Sequence, residues 1–271
     1  MKRGIEKYFD LEKKVIIITG SAGILGTQYA NILSEAGADI ILIDTEKKKN
    51  KNLEKIIKEK FHTNPTSFST DITNKIKIKQ MIKQILKKYG KIDVLINNAV
   101  FHPNLKGRIT SHDFKSYPQK LWNKSISVDL TGVFLMCQAV GAIMEKQKRG
   151  NIINISSIYG INGADQRIYG KNKLNSPPSY AATKGAIVNL TKYLAANWHN
   201  QNIRVNTLSL GGVQVDSYMD KKFLKNYSEK TMLGRMAKKE EYNGAMLFLA
   251  SEASSYMTGT NMIIDGGWTA W

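Results

Sequence analysis

Two tyrosine–lysine pairs in this sequence have the spacing needed for proton transfer at a carbinol. Tyr180 and Lys184 lie in Tyr180-Ala181-Ala182-Thr183-Lys184, and Tyr169 and Lys173 lie in Tyr169-Gly170-Lys171-Asn172-Lys173. On a helix, positions i and i+4 share a face. A phenol with a pKa of about 10 is a poor base near neutrality. An ammonium beside it favours phenolate and predicts a lowered pKa. Such a group can take a proton from an alcohol, or return it to a ketone. Asn175, Pro177 and Pro178 follow Lys173 at once, so no helix can carry the Tyr169 pair. An amphipathic run, AATKGAIVNLTKYLAANW, follows Tyr180, which makes Tyr180 the candidate acid/base and Tyr169 the decoy. Ser157, at the end of Asn154-Ile155-Ser156-Ser157, is the candidate hydrogen-bond donor to the reacting oxygen.

A second constellation points to a dinucleotide. Thr19-Gly20-Ser21-Ala22-Gly23-Ile24-Leu25-Gly26 lies between an apolar strand-like run and a helical one. Glycines there allow a tight turn and close approach to a pyrophosphate, which the helix N-terminus then meets with N–H donors. Gly20, Ser21, Gly23, Leu25 and Gly26 are therefore candidate cofactor contacts. Asp44 ends the next strand-like run, about 20 residues on, where an acidic side chain receives a ribose 2′-hydroxyl. A carboxylate there disfavours a 2′-phosphate, so NAD is expected and NADP is the lesser reading. Lys47-Lys48-Lys49 beside it is read as a solvated helix start.

These residues need elements to position them. Val15–Thr19, Asp39–Asp44, Thr66–Thr70, Ile92–Asn97, Asn151–Ser156, Ile203–Ser209 and Asn261–Asp265 read as short buried strands. Helical patterns separate them at Leu25–Ala36, Lys47–Lys60, Lys75–Tyr89, Leu121–Gln147, Tyr180–His199 and Glu240–Ser251. The alternation predicts an α/β fold, a Rossmann-type doubly wound parallel sheet of about seven strands with helices on both faces. The chain length suits one domain over 1–271, with 1–12 a surface extension and 161–179 an inserted loop beside the active site.

The glycine turn, Asp44, Asp71-Ile72, Asn97-Asn98-Ala99 and the Ser157, Tyr180, Lys184 set together resemble the short-chain dehydrogenase/reductase family over roughly residues 12–271. The resemblance implies that Asp71 and Ile72 lie along the adenine and that Asn98 and Ala99 lie beside the ribose. It places Val213 at the nicotinamide carboxamide, with Tyr180 and Lys184 also touching the nicotinamide ribose. It implies a homo-oligomer, dimer or tetramer, through the C-terminal region. Three departures stand out. The glycines fall as TGxxGxxG instead of TGxxxGxG, Leu210 replaces a usual proline, and Asp129 stands where the family has an asparagine in its proton relay. Asp129 is retained as a catalytic candidate through that position. The TGxxGxxG turn, the insertion and the GGWTAW tail are also similar to oxidoreductases of flagellin modification and nonulosonic-acid pathways. That likeness suggests a hydroxyl on a sugar, amino sugar or nucleotide-sugar. The alternatives are a 3-oxoacyl or small-carbonyl reductase and, in another class, a cofactor-binding regulator with little turnover.

Composition excludes other classes. The formal net charge is +18, but only six of the cations are arginine and the lysines are dispersed along helical runs such as KIKIKQMIKQILKK, so no nucleic-acid partner is expected. No metal site is expected, because His62, His102, His112 and His199 are scattered and Cys137 is alone in an apolar run. One cysteine fits a reducing compartment. Met1 to Glu12 lacks a signal-like apolar centre and no membrane partner is expected, so a cytoplasmic location follows as an expectation.

Overall fold

The computed structural model describes residues 4–101, 113–169, 175–215 and 219–271. His102, His112, Lys171 and Lys173 lie outside the described residues. Seven parallel strands form one sheet in the order β3-β2-β1-β4-β5-β6-β7. They are β1 (Val15–Thr19), β2 (Asp39–Asp44), β3 (Thr66–Ser69), β4 (Val94–Asn97), β5 (Gly150–Ser157), β6 (Ile203–Leu210) and β7 (Asn261–Ile264). Every residue of β1 and β5 is buried, as both faces of a parallel sheet require.

Helices α2 (Ile24–Glu35), α3 (Lys47–Phe61) and α9 (Asn243–Ala250) cover one face. Leu33, Ile57, Met246 and Leu249 pack there on Ile16, Ile18, Ile40 and Leu42. Helices α4 (Lys75–Tyr89), α6 (Val133–Gln147) and α7 (Pro178–Asn197) cover the other, with Ile82, Met136, Val140 and Ile187 on Ile17, Ile41 and Leu95. Each such fully buried aliphatic side chain stabilises the fold by roughly 1.5–3 kcal/mol. The β1–α2–β2 and β6–α9–β7 units move across the sheet in opposite directions while using the same face. Their hands are therefore opposite, and one of them breaks the near-universal right-handed rule. With β1–α2–β2 right-handed, the β6-to-β7 crossover is left-handed.

Several local features differ from the sequence expectation. The expected continuous helix from Leu121 to Gln147 is α5 (Gln119–Ser125), a π-helical segment (Ile126–Gly132) and α6. The widened turn carries Asp129, and such π turns recur at functional sites. By length and composition the run Gln119–Gln147 could cross a membrane, but Val133, Met136, Cys137 and Val140 sit in the sheet-facing core, which is the burial of a core helix. The segment before β1 is not simply a surface extension. A short helix α1 (Glu6–Phe9) leads to Leu11, which is 1% exposed and whose amide donates to Ala36 O at 3.0 Å. Pro178 begins α7, where its missing N–H costs nothing and its φ already suits the helix. An amphipathic helix α8 (Lys221–Ser228), capped by Asp220 on the Phe223 amide at 2.7 Å, follows the Val213 loop where no helix was expected.

Candidate active site

The strand order reverses at β1, which pairs with both β2 and β4, and ligands of open α/β sheets bind at such a switch point. A cavity of about 220 Å³ opens there, lined among others by Gly20, Asp44, Asp71, Ile72, Ala99 and Lys124. The turn before α2 is close-packed backbone. Gly20 has φ +65°, and a Cβ on it would lie 2.8 Å from Ala99 Cα. A Cβ on Gly26 would lie 2.2 Å from Gly20 O. Gly23 caps α2 with no side-chain acceptor, so the first-turn N–H groups are available to a ligand. Asn98 fastens the turn to β4, its Nδ2 donating to Thr19 O at 3.0 Å and Gly20 O at 3.1 Å. Thr19 Oγ1 accepts from the Asn98 and Ala99 amides at 3.0 and 3.1 Å, so the threonine that opens the TGxxGxxG motif braces the turn against the end of β4.

The expected cofactor residues do not all present side chains to this cavity. Ser21 is fully buried and its hydroxyl donates to Asn50 Oδ1 at 2.6 Å, so it braces the turn against α3. Asn50 in turn donates to Leu42 O and Phe68 O, tying α3 to β2 and β3. Leu25 packs on the core of its face. Asp44 accepts the Ala22 amide at 3.0 Å and the Glu46 amide at 2.9 Å while lining the cavity. Asp71 accepts from Thr73 N and Oγ1 at 2.9 and 2.7 Å. Burial pushes the Asp71 pKa up, but the Thr73 bonds and the Lys124 and Lys77 charges hold it below the usual carboxylate value. Ile72 is buried against the bare backbone of Gly132. Val213 lies beyond β6 and bridges to Ala237. Lys124, on α5, carries no motif that would have flagged it.

The catalytic candidates meet at the carboxyl ends of β5 and the start of α7. Ser157 ends β5, its hydroxyl accepts the Tyr159 amide at 3.2 Å, and it lies near enough to the Tyr180 phenol to favour the ionised form. Lys184 is 4% exposed, its Nζ 5.6 Å from the Tyr180 ring centre and donating to Ile155 O at 2.8 Å. Asp129 is 1% exposed; Oδ1 accepts the Phe101 amide at 2.6 Å and Oδ2 has no partner among the described residues. Gly160 allows the loop after Ser157 to approach α7, since a Cβ there would lie 2.7 Å from Lys184 O.

The electrostatics of the chain alone differ from the expectation of a lowered phenol pKa. Burial raises the Tyr180 pKa, the Ser157 hydroxyl opposes this, and the Asp129 charge adds to the rise. Burial lowers the Lys184 pKa, against the pull of Asp129. Burial likewise raises Asp129, to about 6, against Lys184 and the Phe101 amide. The Lys184 ammonium donates to Ile155 O and interacts with Asp129 through charge alone.

Tyr169 occupies a short 3₁₀ turn, Gln166–Tyr169, with its hydroxyl 2.9 Å from that of Tyr159. It heads no helix.

The chain matches, over residues 20–269, the family model described as enoyl-(acyl carrier protein) reductase. It is similar to 3-oxoacyl-(acyl-carrier-protein) reductase FabG of Thermotoga maritima, 34% identical over 262 residues, covering 95% of this chain and 98% of that protein. It is also similar to the NAD-dependent glycerol dehydrogenase of Listeria innocua, 31% identical and covering 98% of both. Among solved structures, a gluconate 5-dehydrogenase from Burkholderia cenocepacia in complex with NADP and tartrate superposes with TM-score 0.86 at 29% identity, over 98% of this chain and 99% of that one. A short-chain dehydrogenase from Leptospira borgpetersenii with bound NAD+ does so with TM-score 0.83 at 31% identity, over 99% and 97%. The chain belongs to the short-chain dehydrogenase/reductase family. It is an NAD(P)-dependent oxidoreductase that interconverts a CH–OH group and a ketone on a small-molecule substrate.

Proposed function

We propose that this chain, as one dinucleotide-binding domain, oxidises or reduces a secondary carbinol of a sugar, amino sugar or nucleotide-sugar with NAD, and that Tyr180 moves the proton. The observation that carries the reading is the meeting of Ser157, Tyr180 and Lys184 beside a glycine turn that only bare backbone can form. Polyol and sugar-acid specificities among the similar proteins, including 5-keto-D-gluconate 5-reductase of Escherichia coli (33% identical over 264 residues), favour the sugar class. The likeness to FabG keeps 3-oxoacyl thioesters as the second substrate class to test.

Gly20, Gly23 and Gly26 would hold the pyrophosphate, Asp44 the adenosine ribose, Asp71 and Ile72 the adenine, and Asn98, Ala99 and Val213 the nicotinamide half. When bound, the nicotinamide supplies the hydride acceptor or donor. Ser157 orients the substrate oxygen toward the Tyr180 phenol. Tyr180 accepts the carbinol proton in oxidation and returns it in reduction. Lys184 holds positive charge close to the ring, and Asp129 sets how much of that charge the phenol feels. Tyr180, raised by burial in the chain alone, would be brought down by the positive charge of an oxidised nicotinamide held beside it. Preference for NAD rests on Asp44, which would repel a 2′-phosphate. Self-association and a cytoplasmic location belong to the same reading. The first rests on the family resemblance, with sedimentation at micromolar concentration expected to give a dimer or tetramer. The second is supported by a single buried thiol.

Tyr180→Phe tests the mechanism. It should retain cofactor binding by fluorescence titration while turnover on the best sugar substrate falls roughly 10²–10⁴-fold. Undiminished turnover would remove Tyr180 from the reaction.

A further inference from the structure

Resting on that reading, the geometry points to Tyr159 and Tyr169 as a paired hydroxyl reader that selects substrates carrying a second hydroxyl on the carbon next to the reacting carbinol. Tyr159 lies two residues beyond Ser157, which accepts its amide. Tyr169 comes from the inserted loop, and the two hydroxyls lie 2.9 Å apart. Both residues keep partial exposure beside the catalytic candidates, and each is close enough to Tyr180 to feel its charge.

The pair is held rigidly. Ile168, beside Tyr169, is 2% exposed, and its carbonyl accepts from Asn226 Nδ2 at 3.2 Å. The Tyr169 ring stacks on Phe223 at 5.6 Å, Phe223 packs on Tyr227 at 5.9 Å, and Tyr227 packs on Trp268 at 4.5 Å. Trp268 is thus committed to a ring column within its own chain. Four chain segments converge to fix two phenols, more order than a solvated loop requires. Burial raises both phenols, Tyr169 to about 12, so they stay neutral donors and acceptors at physiological pH. Two phenols carry two donors and four lone pairs, and their mutual bond uses one of each. What remains, on an apolar ring backing, suits a substrate hydroxyl whose C–H face lies against aromatic rings.

The test compares cyclohexanol with trans-1,2-cyclohexanediol, which differ by one adjacent hydroxyl, in the wild type, Tyr159→Phe, Tyr169→Phe and Tyr180→Phe. Both pair variants keep the ring, and near-ultraviolet circular dichroism checks the packing. The wild type should favour the diol in kcat/KM. Each pair variant should reduce the diol-to-alcohol ratio by about 5- to 10-fold, mainly through KM, the effect of losing one neutral hydrogen bond. Wild-type turnover with an unchanged ratio in both variants overturns the hydroxyl reader and leaves the dehydrogenase reading standing. A parallel fall on both alcohols does the same, since it signals a general packing role. A wild type as inert as Tyr180→Phe on both alcohols and on a sugar panel overturns both readings together.

Discussion

Asp129 is the residue where this chain departs most consequentially from its family. An asparagine there would be neutral at every pH, whereas Asp129 is a buried acid with one oxygen unpartnered among the described residues and a pKa raised to about 6. A carboxyl pKa raised on folding contributes stability that is complete below the unfolded value, near 3.9, and is lost as pH rises through the folded value. The window is therefore pH 4 to 6. Asp129→Asn keeps an acceptor for the Phe101 amide and removes the titration. Its thermal stability relative to the wild type should rise across that window by up to about 3 kcal/mol and then level off. Denaturant melts at pH 4 and pH 7.5 give the comparison, and a gain of equal size at both would assign the effect to packing. The same carboxylate, once ionised, raises Tyr180, so the variant should also reach full activity at lower pH in oxidation. A kcat profile that keeps its midpoint would remove Asp129 from the relay.

At the scale of elements, the glycine turn and the widened helix do comparable jobs by different means. The turn needs absent side chains. Gly26→Ala would press a methyl against Gly20 O, a backbone atom that cannot swing away. Loss of several kcal/mol is expected for such overpacking, together with weakened cofactor binding, read from a shifted melt and an NADH fluorescence titration. Gly23→Ala meets Gly20 O only at 3.2 Å and should be milder in both measurements, because a shift of a few tenths of an ångström relieves it. The π segment works the other way, with one widened turn holding Asp129 in the interior while α5 and α6 continue on either side. Periodicity could indicate an apolar helix there but not the turn within it, because a π turn changes hydrogen-bond partners without any characteristic residue.

For the whole molecule, the switch point at β1 puts Asp44 in the cavity, and the proposed preference for NAD rests on that placement. Asp44 lines the cavity with both oxygens already receiving amides, so its charge is fixed in place instead of free to swing away. Lys124 lines the same cavity, and its charge helps to hold the Asp71 pKa down. The wild type should therefore show a higher kcat/KM with NAD than with NADP, and Asp44→Ser should narrow or invert that ratio by at least about tenfold, the effect of removing one close like-charge contact. Equal use of both cofactors by the wild type would mean that Lys124 or the lysines of α3 outweigh the carboxylate.

Alternation of β-branched runs with amphipathic ones was enough for the parallel sheet, because strands buried on both faces have little choice of composition. Fixed local spacings were enough to pick out Gly20 to Gly26 as a tight turn and to place Tyr180 and Lys184 on one helix that begins just after Pro177. Tertiary structure decided what depends on distant segments. It turned Ser21 inward to Asn50, anchored Leu11 under Ala36 and brought α9 to the face that makes one crossover left-handed. It also used the Lys184 ammonium on Ile155 O, and burial raised the phenol it was expected to acidify. Sequence spacing reports backbone geometry over a few residues, whereas burial and charge at a site are sums over everything the fold packs around it.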